Sequence, residues 1–256
     1  MINIDEVTLK NNTMFNIVVS RPAICKRFIE LVLEKKVSEI VYSEHEKTID
    51  HFLEARSIRL DVYCEGEDAV YDIELQNGLF DNLPKRVRYY QGLIDSQHLG
   101  KSEDYSKLTE SVIIFVCTFD LFGQNRHKYT FKNVCLEDES IQLGDCTTKI
   151  FLNTKGTLND VSNSLLNFLN YIENGIVTDD FVQAVDTEVI TARNNGKVRD
   201  KLMTLEEYAD AKAKHERKII NELFQRLIED GRLDEMLAAT KDDELQNKLL
   251  KEYNLE

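Results

Sequence analysis

"RLDVYCEGEDAVYDIELQ", residues 59–76, decides the reading. Two apolar-alternating runs flank the acidic turn EGED, and each carries a carboxylate, Asp61 and Glu74. Side chains alternate faces along a strand, so Asp72, Glu74 and Gln76 share one face while Ile73 and Leu75 point to the other. Asp61 sits between Leu60 and Val62. If the runs pair antiparallel around the turn, Asp61 lies near Glu74. Two carboxylates on adjacent strands, flanked by buried apolar side chains, make an oxygen-ligand site for Mg²⁺ or Mn²⁺. A D-x12-E pair also arises by chance in an acidic chain, so the spacing alone leaves both readings open.

The flanking sequence changes period on both sides. Residues 5–37 read as helical, with Ile24, Phe28, Leu31 and Val32 at helical spacing. Pro22 suits a first helical turn, with Ser20 as its candidate N-cap. "EIVYSEHE" and "ARSIRLDVYCE" (residues 39–46 and 55–65) read as strands before "DAVYDIELQ". "NLPKRVRYYQGLID" starts a helix, capped by Asn82 with Pro84 in its first turn. "VIIFVCTF", residues 112–119, is an apolar run too short for a membrane span and reads as a buried strand. "KYTFKNVC" and "TTKIFLNT" supply further strands. The order helix, three strands, helix, strand predicts an α/β fold, a sheet covered by helices.

Beyond residue 158 the chain reads as mainly helical. Leu158, Val161, Leu165, Phe168 and Leu169 share one face, and Gly175 marks a helix end. Farther on, Ile220, Leu223, Leu227 and Ile228 form a stripe suited to packing or dimerisation. The expected division is residues 1–157 as one α/β domain and 158–256 as a helical C-terminal region.

Composition narrows the function. The 256 residues carry 42% hydrophobic and 30% charged side chains, enough for a core and not a disordered balance. A formal net charge of -14 argues against coating nucleic acid over a broad face. It does not exclude a nuclease, whose metal site is acidic until filled. The five cysteines, Cys25, Cys64, Cys117, Cys135 and Cys146, lack zinc-ligand spacing and read as reduced, buried thiols of a cytoplasmic protein. Neither a signal peptide nor a membrane span is expected.

Taken together, "D61…E74-L-Q76" within helix–strand–strand–strand–helix–strand resembles the PD-(D/E)XK nuclease superfamily, in particular its Rpn recombination-promoting nuclease and transposase branch. "SRPAICKRFIELVLEKK", "IRLDVYCEGEDAVYDIELQ", "LPKRVRYYQGLID", "VIIFVCTFDLFG", "KYTFKNVC" and "IFLNTKG" carry the resemblance, in order, over residues 10–160. The tail segment "KVRDKLMTLEEYADAK" fits the same context. The resemblance implies a restriction-endonuclease-like core, a mixed central sheet flanked by helices, and a DNA endonuclease using Mg²⁺, with Mn²⁺ able to substitute. It implies no organic cofactor.

The same resemblance assigns roles. Asp61 and Glu74 would be the metal-binding carboxylates, with the backbone carbonyl of Leu75 completing the shell. Gln76 stands where much of the superfamily has lysine, so the metal would lower the water pKa with less help. Arg59 either pairs with a carboxylate or contacts the scissile phosphate. Arg88 and Gln91, on one helix face with Asp95, are candidates for phosphate or metal-water contacts. Tyr89 and Tyr90 are expected in the core, Asp120 as a turn cap, and His98 and His127 in structural roles. No DDE-type acidic triad is present, so strand transfer is not expected. A homodimer through the 219–228 stripe would let two sites face opposite DNA strands. The alternative, motivated by the missing lysine and the net charge, is a catalytically inactive nuclease-fold binding or regulatory module.

Overall fold

The computed structural model describes residues 4–49, 58–67, 69–78, 82–100, 102–253 and 255. Of residues 206–216, it describes the helical backbone alone. Residues 55–57, at the start of the second expected strand, and Asp68 of the EGED turn lie outside the described residues.

Within residues 5–37, read from the sequence as one helical segment, two α-helices form. Helix α1 (Asn12–Val19) is capped by Asn11, whose side chain accepts from the Met14 N–H, and α2 (Pro22–Leu33) begins at Pro22. Ser20 is the C-cap of α1, whereas Arg21 holds the N-cap position of α2 in extended conformation. The expected capping role of Ser20 is therefore corrected. The proline fixes the break, because the residue before it is driven out of the helical region.

Strands β1 (Tyr42–Ile49), β2 (Ile58–Glu65) and β3 (Ala69–Gln76) follow. Helix α3 (Leu83–His98) then crosses to β4 (Glu110–Cys117), and β5 (Lys128–Phe131) and β6 (Thr147–Asn153) complete a six-stranded sheet of order β1-β2-β3-β4-β6-β5. The β1/β2, β2/β3 and β5/β6 pairs are antiparallel, and β3/β4 and β4/β6 are parallel. The sheet is covered by helices, as the element order predicts, and mixed, as the resemblance implies. Asn82 does occupy the N-cap position of α3, but in left-handed conformation and with no side-chain cap bond.

One sheet face packs under α3: Leu83, Val87, Tyr90 and Ile94 meet Ile113, Phe115 and Phe151. On the other side α1 packs against β1, β2 and β3. Val112–Cys117 is buried throughout, the pattern of a central parallel strand covered on both faces. Each such large apolar side chain contributes about 1.5–3 kcal/mol.

Two compact units emerge, Ile4–Gly196 and the chain from Lys197 onward. Helices α4 (Asn163–Asn174) and α5 (Asp180–Asn194) belong to the first, where α4 packs on α2 with Phe28 and Phe168 ring centroids 5.0 Å apart. Gly175 ends α4 in the left-handed conformation expected of a C-terminal glycine. In the second unit α6 (Gly196–Glu229) is followed by α7 (Leu233–Ala239) and α8 (Asp243–Glu252). Leu223 and Leu227 are buried against Ala239 and Leu249. These two leucines of the 219–228 stripe are thus used in packing within the unit. No helix of the described residues is long and apolar enough to cross a membrane.

Candidate active site

The β2–β3 hairpin opens at the site. Its ladder runs from Glu65↔Val70 to Val62↔Ile73. At the next pair, side chains replace main-chain pairing. The Asp61 N–H donates to Glu74 Oε1 at 2.9 Å, and the Leu75 N–H donates to Asp61 Oδ2 at 3.2 Å. Each carboxylate thus closes a backbone donor of the other strand. The neighbouring strand is kinked at the same level: Glu46, between the partners of Val62 and Leu60, has φ 59°. A non-glycine residue with positive φ is strained, and such strain concentrates at functional sites.

Asp61 and Glu74 come together as the sequence predicts. Their environments explain their protonation. Glu74 is buried at 3% exposure, and its pKa is pushed up to about 8, mainly by burial and next by the negative charge of Asp61. The Asp61 N–H and Arg86 oppose that shift without cancelling it. Asp61 is half-buried, and burial also raises its pKa, against bonds from Asn16 and the Leu75 N–H. Asp72, on the same β3 face as Glu74, is fully buried, and among the described residues neither of its oxygens meets a donor. Burial and the charges of Glu74 and Asp61 hold it well above the usual carboxylate range. That shift favours its protonated form, the one with a proton to donate to Glu74 beside it.

Two residues that the sequence did not single out complete the site. Arg86 on α3 places one guanidinium nitrogen 2.9 Å from Gln76 Oε1 and 3.4 Å from Glu74 Oε2. Its guanidinium carbon lies 4.9 Å from the centroid of the Phe115 ring and 5.4 Å from that of Tyr90. Asn16 on α1 donates to Asp61 Oδ1 at 3.2 Å, and its own amide oxygen is buried without a partner. Arg86 had a signal in the sequence. It lies three residues after Leu83 and four before Tyr90, beside the apolar stripe of α3. Asn16 had none, because its role depends on how α1 packs.

The remaining candidates fall elsewhere. Gln76 is buried and held at both ends, its Nε2 donating to the Gly78 carbonyl at 3.1 Å. Arg59 is exposed on β2, and its charge favours ionised Asp61. Arg88 is exposed and lines an apolar pocket with Phe131 and Phe151. Gln91 is buried, its Nε2 bonded to Asp95 at 3.0 Å and to Ser111. The α3 side chain brought to the carboxylates is therefore Arg86. Tyr90 lies in the core as expected, but Tyr89 is 38% exposed, which corrects that expectation. Asp120 caps its turn by accepting from the N–H groups of Phe122 and Asn125 and from the Tyr129 hydroxyl. His98 bonds the Tyr63 hydroxyl, and His127 is buried beside Asp160. Cys25, Cys64 and Cys117 are buried free thiols, whereas Cys135 is half-buried and Cys146 exposed.

Comparison with curated proteins and with solved structures finds no match. The family model described as "PD-(D/E)XK nuclease family transposase" matches residues 20–225, which include the hairpin, α3 and the whole sheet. With the match covering most of its length, the chain belongs to the PD-(D/E)XK nuclease family of transposases.

Proposed function

We propose that the chain is a metal-dependent endonuclease that hydrolyses DNA phosphodiester bonds, with Asp61 and Glu74 holding Mg²⁺, or Mn²⁺ in its place, beside the Leu75 carbonyl. The observation that carries this reading is the meeting of the two carboxylates where the β2–β3 ladder opens.

The residues fit a hard cation. Mg²⁺ commonly takes one or two protein carboxylates and keeps several waters. Among the described residues no group of three His, Cys, Asp or Glu side chains is arranged to hold a metal. The raised pKa of Glu74 and the unpaired oxygens of Asp72 mark a place short of positive charge. When bound, the cation supplies a water of lowered pKa and offsets charge on the phosphate oxygens.

The chain's own residues do the positioning. Asn16 and the Leu75 N–H hold the Asp61 carboxylate from two sides. The Asp61 N–H and Arg86 hold that of Glu74. Gln76, fixed between Arg86 and the Gly78 carbonyl, stands as a neutral polar group in the lysine position. Arg86, bonded to it, brings the positive charge that Gln76 lacks. Arg59, exposed next to Asp61, is placed to meet a phosphate. Leu223 and Leu227 are engaged within their own unit, which leaves Ile220 and the 53% exposed Ile228 as the part of the stripe open to a homodimer contact.

The test is cleavage of supercoiled plasmid with Mg²⁺ or Mn²⁺, beside Asp61→Ala and Glu74→Ala. Each substitution is expected to lower the rate by about a thousand-fold or more, several kcal/mol of transition-state stabilisation. Equal cutting by folded variants would place the activity elsewhere. No cutting by folded wild type with any divalent cation would favour the inactive-module reading.

A further inference from the structure

The pocket that Arg88 lines is unlike the rest of the α3 core. It is a cavity of about 190 Å³ between the first turns of α3 and strands β5 and β6, walled by Pro84, Val87, Phe122, Phe131 and Phe151, with Arg88 and Lys149 beside them. Such a volume is below that of sites for drug-sized ligands and suits a single small ring system. Its rings already pack against one another: Phe122 lies 5.0 Å from Phe131 and 5.3 Å from Phe151, centroid to centroid. Yet Phe131 stays 43% exposed on the edge strand. Arg88 is exposed and has no ion-pair or hydrogen-bond partner among the described residues.

The sheet register ties this pocket to the carboxylates. Glu74 pairs with Phe115 on β4, Phe115 with Phe151 on β6, and Phe151 with Tyr129 on β5. The pocket wall therefore lies two strands from Glu74, about 10 Å at the usual strand spacing. Helix α3 sends Arg86 to the Glu74 side and Arg88 to the pocket side of the same first turns.

We propose that this pocket is a binding subsite for an unpaired nucleobase of the DNA strand, seated against Phe131 and Phe122, with Arg88 and Lys149 attracting the adjoining phosphates; the proposal rests on the nuclease reading and names its substrate class. Aromatic faces bind bases of any sequence by stacking. A base inside a duplex is stacked on its neighbours and cannot enter, so the occupant is single-stranded, frayed or flipped. With a net charge of -14 spread over the chain, a local pair of cations beside rings is the economical way to hold a strand.

The test uses the full chain in chelator, so that nothing is cut. Fluorescence polarisation compares labelled oligothymidylate with its duplex on oligoadenylate, for wild type, Phe131→Ala, Phe131→Tyr and Arg88→Ala. Wild type should bind the single strand more tightly. Phe131→Ala and Arg88→Ala should each weaken that binding about five-fold or more, and Phe131→Tyr should retain it. Unchanged affinity in both folded variants overturns the proposal, as does a wild type that binds no single strand. If Phe131→Ala instead changes the sedimentation mass with affinity unaltered, the edge is where copies meet and the proposal falls. Plasmid cutting is read separately. Cutting with unaltered strand binding keeps the nuclease and removes the pocket. Lost strand binding in a chain that never cuts does the reverse.

Discussion

Strands β3 and β4 lie side by side in one sheet, buried to the same degree, and differ in what they bury. Towards α3, β4 presents Ile113, Phe115 and Cys117, whereas β3, in register with them, presents Asp72, Glu74 and Gln76. The apolar row is the ordinary content of a covered parallel strand. The polar row costs desolvation, and only part of it is repaid, by Arg86 and by the main chain of Asp61. A sheet that could bury apolar side chains at all six positions keeps three polar ones where its hairpin opens. That difference puts the proposed chemistry on β3 and stability on β4.

Exchanging the two kinds of residue tests the contrast. Ile113→Asp puts a carboxylate in the apolar row with no partner at hand. It should cost more than about 4 kcal/mol and leave little folded protein, seen by urea denaturation. The converse change, Asp72→Leu, removes a buried acid whose oxygens meet no donor. It should raise stability by about 2 kcal/mol, because apolar groups of similar volume commonly stabilise such sites. A loss of stability there would show that Asp72 is better satisfied than its surroundings indicate.

The same row also gives a slope with pH. Glu74 has a folded pKa of about 8 against an ordinary value of 4.5. Between these values the folded state binds the extra proton. The contribution is therefore fully present below about pH 4.5 and is lost as pH rises through 8. Metal-free stability should fall across that window, by no more than about 1.4 kcal/mol per pH unit for this one proton. Denaturation in chelator at several pH values checks it. The slope should flatten in Glu74→Gln.

Much of this contrast was legible in the sequence. Period-two alternation and the EGED turn put Asp61 against Glu74, and the unbroken apolar run marked β4 as central. What local pattern could not give was tertiary. Asp72 was placed on the Glu74 face, but its full burial depends on α3 and β4 closing over it. On α3, counting from Gln91 and Asp95 selected Arg88, while the apolar positions Leu83 and Tyr90 placed Arg86 nearer the sheet. Asn16 matters only because α1 docks beside Asp61. The break between α1 and α2 was also missed, although Pro22 was read as a helix start. Helices α4 and α5 read as part of a C-terminal region, because helical periodicity does not show which unit a helix packs into.

The most direct test of the central claim, that the β3 polar row is kept for chemistry at the expense of stability, is Glu74→Gln measured two ways in one preparation. Above pH 8, in chelator, the variant should be more stable than wild type by about 1–3 kcal/mol, yet no longer cleave plasmid with Mg²⁺ or Mn²⁺. A variant that is less stable, or one that cuts as fast as wild type, would contradict that claim.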